Sequence, residues 1–234
     1  MNINIFIKKI KNSYLTPRFN NLDFEKLYKS ENIFYKILIR FFWFVPNNSQ
    51  SKYWIKANEI GHGYEQFIKI DELGKIITNK IREYAKKEDS ILDICCNAGR
   101  ILNELESFGY KNLNGFDISI EAINNSKKIF KNLRNATLTC SSAEKFLKQT
   151  QNNSYDITYS LGATIELIPP HFDIIKHISR ITKKYFICLI NENGHAYPRF
   201  WKKEFKKNFF IIKENIKIGE NRTLFVLKKI SKNL

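Results

Sequence analysis

What the 234-residue sequence lacks narrows it first. Its four cysteines, Cys95, Cys96, Cys140 and Cys188, form no Cys-x-x-Cys pair. That excludes a zinc ribbon and leaves no disulfide framework, so four buried free thiols in a reducing compartment are expected. The four histidines, His62, His171, His177 and His195, stand at no metal-ligand spacing, and no metal is expected. No run of 18 or more apolar residues occurs, which excludes an ordinary membrane-spanning helix. The N-terminus has no basic region followed by an apolar stretch and a small-residue cleavage site, so a cytoplasmic location is the default.

Acidic side chains are scarce, 23 against 39 basic, and the formal charge is +16. The shortage lies in the flanks. Residues 1–60 carry 10 basic and 4 acidic side chains, and residues 201–234 carry 10 and 3. Such flanks attract phosphates, nucleic acid or an anionic membrane surface. No Arg-rich run or RNA-binding motif accompanies them, however, and the joint abundance of Lys, Asn and Ile also fits AT-rich coding.

Glycine is missing where a dinucleotide would need it. Residues 90–117, SILDICCNAGRILNELESFGYKNLNGFD, read as a strand into Asp93, a tight turn over 95–99, a helix from Arg100 and a strand ending at Asp117. Ligands of parallel α/β sheets bind at the carboxyl ends of the strands, which places Asp93 and Asp117 at one site. A pyrophosphate needs Gly-x-Gly-x-x-Gly, and those positions hold Cys95, Asn97 and Arg100. The ligand expected there therefore has no diphosphate.

Asp93, Cys95, Asn97 and Gly99 resemble motif I of the class I SAM-dependent methyltransferases, an acidic residue followed by x-Gly-x-Gly-x-Gly. Cys-Asn-x-Gly-Arg looks like a variant of it. The resemblance extends over residues 72–230. It implies an α/β fold: a Rossmann-like, seven-stranded, mostly parallel sheet with an antiparallel C-terminal strand and helices on both faces. It implies S-adenosylmethionine (SAM) as cofactor. Asp117, with Ile118 beside it, would take the ribose hydroxyls, since a carboxylate accepts two hydrogen bonds at once. The other reading of Asp117 is a helix cap shared with Ser119. Ser142 and Ala143 stand where the family meets adenine, and Ser142 also reads as an N-cap. Ser160 and Leu161 would flank the methionine part. In 165–170, IELIPP, Leu167 stands where many oxygen-methylating relatives have a basic His.

Three segments are expected: a helical, aromatic and basic extension over 1–52, a lid over 53–71, and the methyltransferase domain over 72–234. Within the first, 46–51 reads as a loop, and 33–45, IFYKILIRFFWFV, as a short cover helix or one lying on a membrane surface. The lid carries Tyr64 between glycines and a ligand. The family's Arg before the next helix, which meets the methionine carboxylate, has no counterpart among Lys69, Ile70 and Asp71. Helices are expected over 72–87, 119–131 and 171–182. After the fifth strand, 191–199 carries His195, the candidate base, with Tyr197 and Arg199 to orient substrate. The resemblance implies methyl transfer to a small molecule or sugar-type metabolite through O or N. The alternatives are an RNA methyltransferase using the basic flanks and a non-catalytic SAM-binding protein. The oligomeric state is not legible.

Overall fold

The computed structural model describes residues 49–57, 59, 61, 63–162, 165–169, 171–191 and 199–230. The segment 33–45 and the rest of 1–48, with His62, His195 and Tyr197, lie outside the described residues. Helix α1 (Ser49–Ile55) is followed by a 3-10 turn (Tyr64–Phe67) and α2 (Glu72–Tyr84). The alternating part is β1 (Ile91–Ile94), α3 (Arg100–Ser107), β2 (Leu113–Asp117), α4 (Ile120–Ile129), β3 (Thr137–Cys140), α5 (Ala143–Gln149) and β4 (Tyr155–Leu161). A second 3-10 turn (Ile165–Leu167), α6 (Ile174–Ile181), β5 (Thr182–Asn191), α7 (Trp201–Lys207), β6 (Phe210–Ile218) and β7 (Arg222–Lys229) complete it.

The seven strands form one sheet in the order β3-β2-β1-β4-β5-β7-β6. β7 runs antiparallel to both its neighbours, and the other pairings are parallel. All four residues of β1 are buried, as a central parallel strand covered on both faces requires. Side chains alternate across it. Leu92 and Ile94 join Leu147 of α5, Ile178 of α6 and Phe205 of α7, whereas Ile91 joins Ile77 and Ile81 of α2 and Leu102 of α3. The sheet thus has helices on both faces, as the resemblance implies.

Side-chain caps fix the helix starts. Asp71 Oδ1 accepts from Gly74 N–H at 2.8 Å, and Ser119 Oγ from Ala122 N–H at 3.2 Å. Ser142 Oγ accepts from Lys145 N–H at 3.3 Å, and Asp173 Oδ1 from Lys176 N–H at 3.1 Å. Four expectations are corrected. α6 begins at Ile174 and not at His171, because Asp173 caps it and Phe172 N–H donates to Pro169 O at 3.0 Å, which leaves His171 in a turn. α2 ends at Tyr84, where Ala85 turns extended and Lys86 and Lys87 bring no apolar side chain to the core. Ser49–Ser51 open a helix where a loop is expected, as polar serine residues often do. Cys140 is exposed, because β3 is an edge strand, while Cys96 and Cys188 are buried and Cys95 is half-buried.

Candidate cofactor and acceptor site

The carboxyl ends of β1 and β2 open into a cavity of about 460 Å³, within the usual small-ligand range of roughly 300–1,000 Å³. The polar part of its lining is Asp93, Cys95, Asn97, Arg100, Asp117 and Ser142. Its apolar wall comes from Leu167, Ile168, Pro169 and Phe172, with Trp54 and Phe67 contributed by the segment before α2.

The turn after β1 has an unusual backbone. Cys95 (φ 59°), Asn97 (φ 53°) and Gly99 (φ 88°) are all left-handed, in the alternating positions where the motif carries glycines. A left-handed Cys costs about 1–2 kcal/mol, and Asn less, because its side chain bonds locally. Asn97 Oδ1 does so, accepting from Ala98 N–H at 2.7 Å. The turn is then tied to β2 twice. Cys96 N–H donates to Phe116 O at 2.9 Å, and Asn97 N–H to Asp117 Oδ2 at 2.8 Å. Asp117 Oδ1 accepts from Ser119 N–H at 2.9 Å. The two readings of Asp117 are therefore compatible. Its carboxylate organises the start of α4 and lines the cavity, with lone pairs left on each oxygen.

Gly115 lies beneath this turn, opposite Asp93 in the β1–β2 register. A Cβ there would stand 2.8 Å from both Cys96 Sγ and Leu102 Cδ1. Gly115→Ala is expected to lose about 1–3 kcal/mol of stability, as overpacked sites do, and to weaken ligand binding by displacing the turn. Thermal denaturation alongside ligand calorimetry checks it. An alanine variant with unchanged melting temperature and affinity would refute the close seating of the turn.

Asp93 is buried at 5% exposure, and its Oδ2 accepts from Tyr159 O–H at 2.7 Å. Tyr159 is its register partner on β4, so both side chains fall on the same face. Burial pushes Asp93 up to about 7; the Tyr159 hydrogen bond opposes this, Asp117 adds to it and Arg100 opposes it. Burial also raises Asp117, against the backbone N–H groups of Ser119, Asn97 and Ile118. The Cys95 and Cys96 thiols are pushed well above their ordinary value by burial and the two carboxylates. The site is thus poorly compensated negative charge, suited to a ligand with a cationic group and several donors.

Of the residues named from sequence, Tyr64, Asp93, Cys95, Asn97, Asp117, Ile118, Ser142, Ala143 and Leu161 line this one cavity. Gly99 closes the turn at the start of α3 and Ser160 is buried in β4, and neither is in the lining. Arg199 Nη2 donates to Ile168 O at 2.6 Å, behind the apolar wall. Several site residues had no assigned role in the sequence. Arg100 lines the cavity while donating to Lys69 O at 2.6 Å and pairing with Asp71 at 3.5 Å. It brings a guanidinium to the segment where the family's arginine is missing, and its place in Cys-Asn-x-Gly-Arg was the available signal. Glu166, 1% exposed, accepts Asn191 N–H at 2.7 Å and so ties the turn after β4 to the end of β5. Burial pushes Glu166 up to about 7. His171 also lines the cavity.

Among the described residues no group of three or more His, Cys, Asp or Glu could hold a metal, and no helix is long and apolar enough to cross a membrane. A family model described as a methyltransferase domain matches residues 91–185. No curated protein matches the chain. The fold is similar to that of a TehB-like SAM-dependent methyltransferase from Corynebacterium glutamicum (15% identity, 79% of this chain and 100% of that one, TM-score 0.57). It is also similar to a SAM-dependent methyltransferase from Aquifex aeolicus (16%, 71% and 97%, TM-score 0.56). A third is magnesium protoporphyrin IX methyltransferase from Synechocystis with bound SAH (S-adenosylhomocysteine; 12%, 77% and 99%, TM-score 0.56). The domain match over residues 91–185, the strand order and the cavity at the carboxyl ends of β1 and β2 agree: the chain has the Rossmann-like fold of the class I SAM-dependent methyltransferases.

Proposed function

We propose that the protein transfers a methyl group from SAM to a small-molecule acceptor. The observation that carries this reading is the pair of buried carboxylates, Asp93 and Asp117, lining one cavity together with the apolar side chains of Leu167, Ile168, Pro169 and Phe172. The residues fit the cofactor. Asp117 accepts from the ribose hydroxyls, and Asp93, held by Tyr159, faces the cationic amino group. Arg100 supplies positive charge for the methionine carboxylate, and Leu161 with Gly162 forms the floor below it. Ser142 and Ala143 border the adenine, with the Ser142 hydroxyl already engaged in capping α5. Tyr64 covers the ligand from the segment before α2.

When bound, SAM supplies a methyl carbon activated by its sulfonium. The protein's part is to align the acceptor with that carbon and exclude water. The apolar wall does both for a small organic molecule, since it offers no row of polar groups to a sugar-phosphate backbone. Calorimetry with SAM and SAH tests the cofactor assignment. Both are expected to bind in the micromolar range and NADH not at all. Binding of NADH, or of neither SAM nor SAH, would overturn it.

A further inference from the structure

On that reading of the cavity, we propose that His171 is the proton acceptor of the reaction and that the methyl acceptor is a phenolic hydroxyl held against the wall formed by Leu167, Ile168, Pro169 and Phe172. The absence of a His at Leu167 does not leave the cavity without an imidazole. The turn that delays α6 to Ile174 puts His171 on the same wall, four residues further on. Its Nδ1 is buried with no hydrogen-bond partner among the described residues. In the orientation described that atom has no surface open to the cavity, and a buried nitrogen left without a donor is unfavourable. Half a turn about the ring bond exchanges Nδ1 with a ring carbon, so either nitrogen can be presented to the cavity.

Among the described residues, the other ionisable groups of the lining are engaged or hold their protons. Asp93 holds Tyr159, and Asp117 holds two backbone N–H groups. Arg100 is a cation bound to Lys69 O and Asp71. Glu144 Oε1 lies 2.6 Å from Lys148 Nζ. Burial holds the Cys95 and Cys96 thiols protonated. Tyr64, a phenol, gives up a proton more readily than it takes one. Among the described lining, His171 is left as the side chain with an unengaged ring nitrogen that can accept a proton.

An imidazole selects the acceptor by acidity. Proton transfer works when donor and acceptor lie within a few pKa units, as phenol and imidazole do and a sugar hydroxyl does not. An apolar wall also suits an aromatic ring, whereas the remaining hydroxyls of a sugar would be buried unpaired. In the step, the phenolic oxygen forms a bond to the methyl carbon as the carbon–sulfur bond breaks. The sulfur keeps that electron pair and becomes a neutral thioether, and the phenolic proton passes to His171.

The test uses 4-nitrophenol, whose phenolate absorbs in the visible, titrated into SAH-saturated protein at constant pH. The wild type is expected to bind it and raise the phenolate fraction above that of the free compound. His171→Gln keeps a polar side chain without a base. It is expected to lose at least tenfold in affinity and all of the phenolate increase, with SAH affinity within about twofold of wild type. Should that variant fail to fold, carbon-13 NMR of histidine Cε1 in the wild type decides instead, through one ring signal moving to its protonated position on adding the phenol. An undiminished phenolate increase in His171→Gln, no protonated histidine, or no binding to SAH-loaded wild type overturns the assignment. Failure of SAH to bind would instead count against the cofactor reading.

Discussion

Asp117→Ala is expected to lose SAH binding by at least a hundredfold and to lower the melting temperature as well. The first effect comes from two charge-assisted hydrogen bonds to the ribose, each about 1.5–3 kcal/mol. The second comes from the protein itself. Asn97 N–H and Ser119 N–H lose their acceptor, and with the first goes one of the two links between the turn after β1 and the end of β2. Asp117→Asn separates the two effects. Its carbonyl oxygen can still accept from Asn97 or Ser119, so most stability should return while affinity stays at least tenfold down. Calorimetry with SAH and thermal denaturation of both variants read the two effects apart. Wild-type affinity in Asp117→Asn would mean that the carboxylate serves only the backbone.

SAH affinity is expected to rise about tenfold from about pH 6 to about pH 8, because Asp93 ionises near 7 and only its charged form attracts the ligand's ammonium. Binding should release protons in that window, seen as a dependence of the calorimetric heat on the buffer. Asp93→Asn should bind weakly at every pH, with a flat profile. The sign for stability is opposite. A buried carboxyl raised from 3.8 to about 7 favours the fold fully below its unfolded value, and that contribution is lost as pH rises through about 7. Glu166 follows the same course from 4.5 to about 7. Without ligand, Asp93→Asn should therefore gain in melting temperature relative to wild type as pH rises from about 5 to about 8. A wild-type affinity that is level across the window would show that Asp93 is already charged, or remote from the ligand's amine.

The sheet was legible because its pattern is local. A β-prone run into an acid, a turn of small residues and a second run into an acid define β1, α3 and β2, and the later strands repeat the alternation. Asp93 and Asp117 were legible for the same reason, as strand ends in a parallel sheet share one side. Tyr159 was not. Within YDITYSL it reads as one more inward residue, and only the register with β1 sets its hydroxyl against Asp93. Nothing local in IELIPP assigns Glu166 a partner; the 3-10 turn there buries it and brings it to Asn191 N–H. His171 was hidden by the run of isoleucines that follows it. Helical periodicity extends back to it, and the cap at Asp173 excludes it. The positive φ angles at Cys95 and Asn97 show why two lost glycines do not abolish the turn: the backbone geometry persists at moderate strain on non-glycine residues.

The most direct test of the nucleoside pocket is a crystal structure of the protein grown with SAH. The account predicts both ribose hydroxyls within hydrogen-bond distance of Asp117, the amino group facing Asp93, and the sulfur turned toward the wall that carries His171. SAH bound elsewhere on the sheet, or with its ribose away from Asp117, would contradict it.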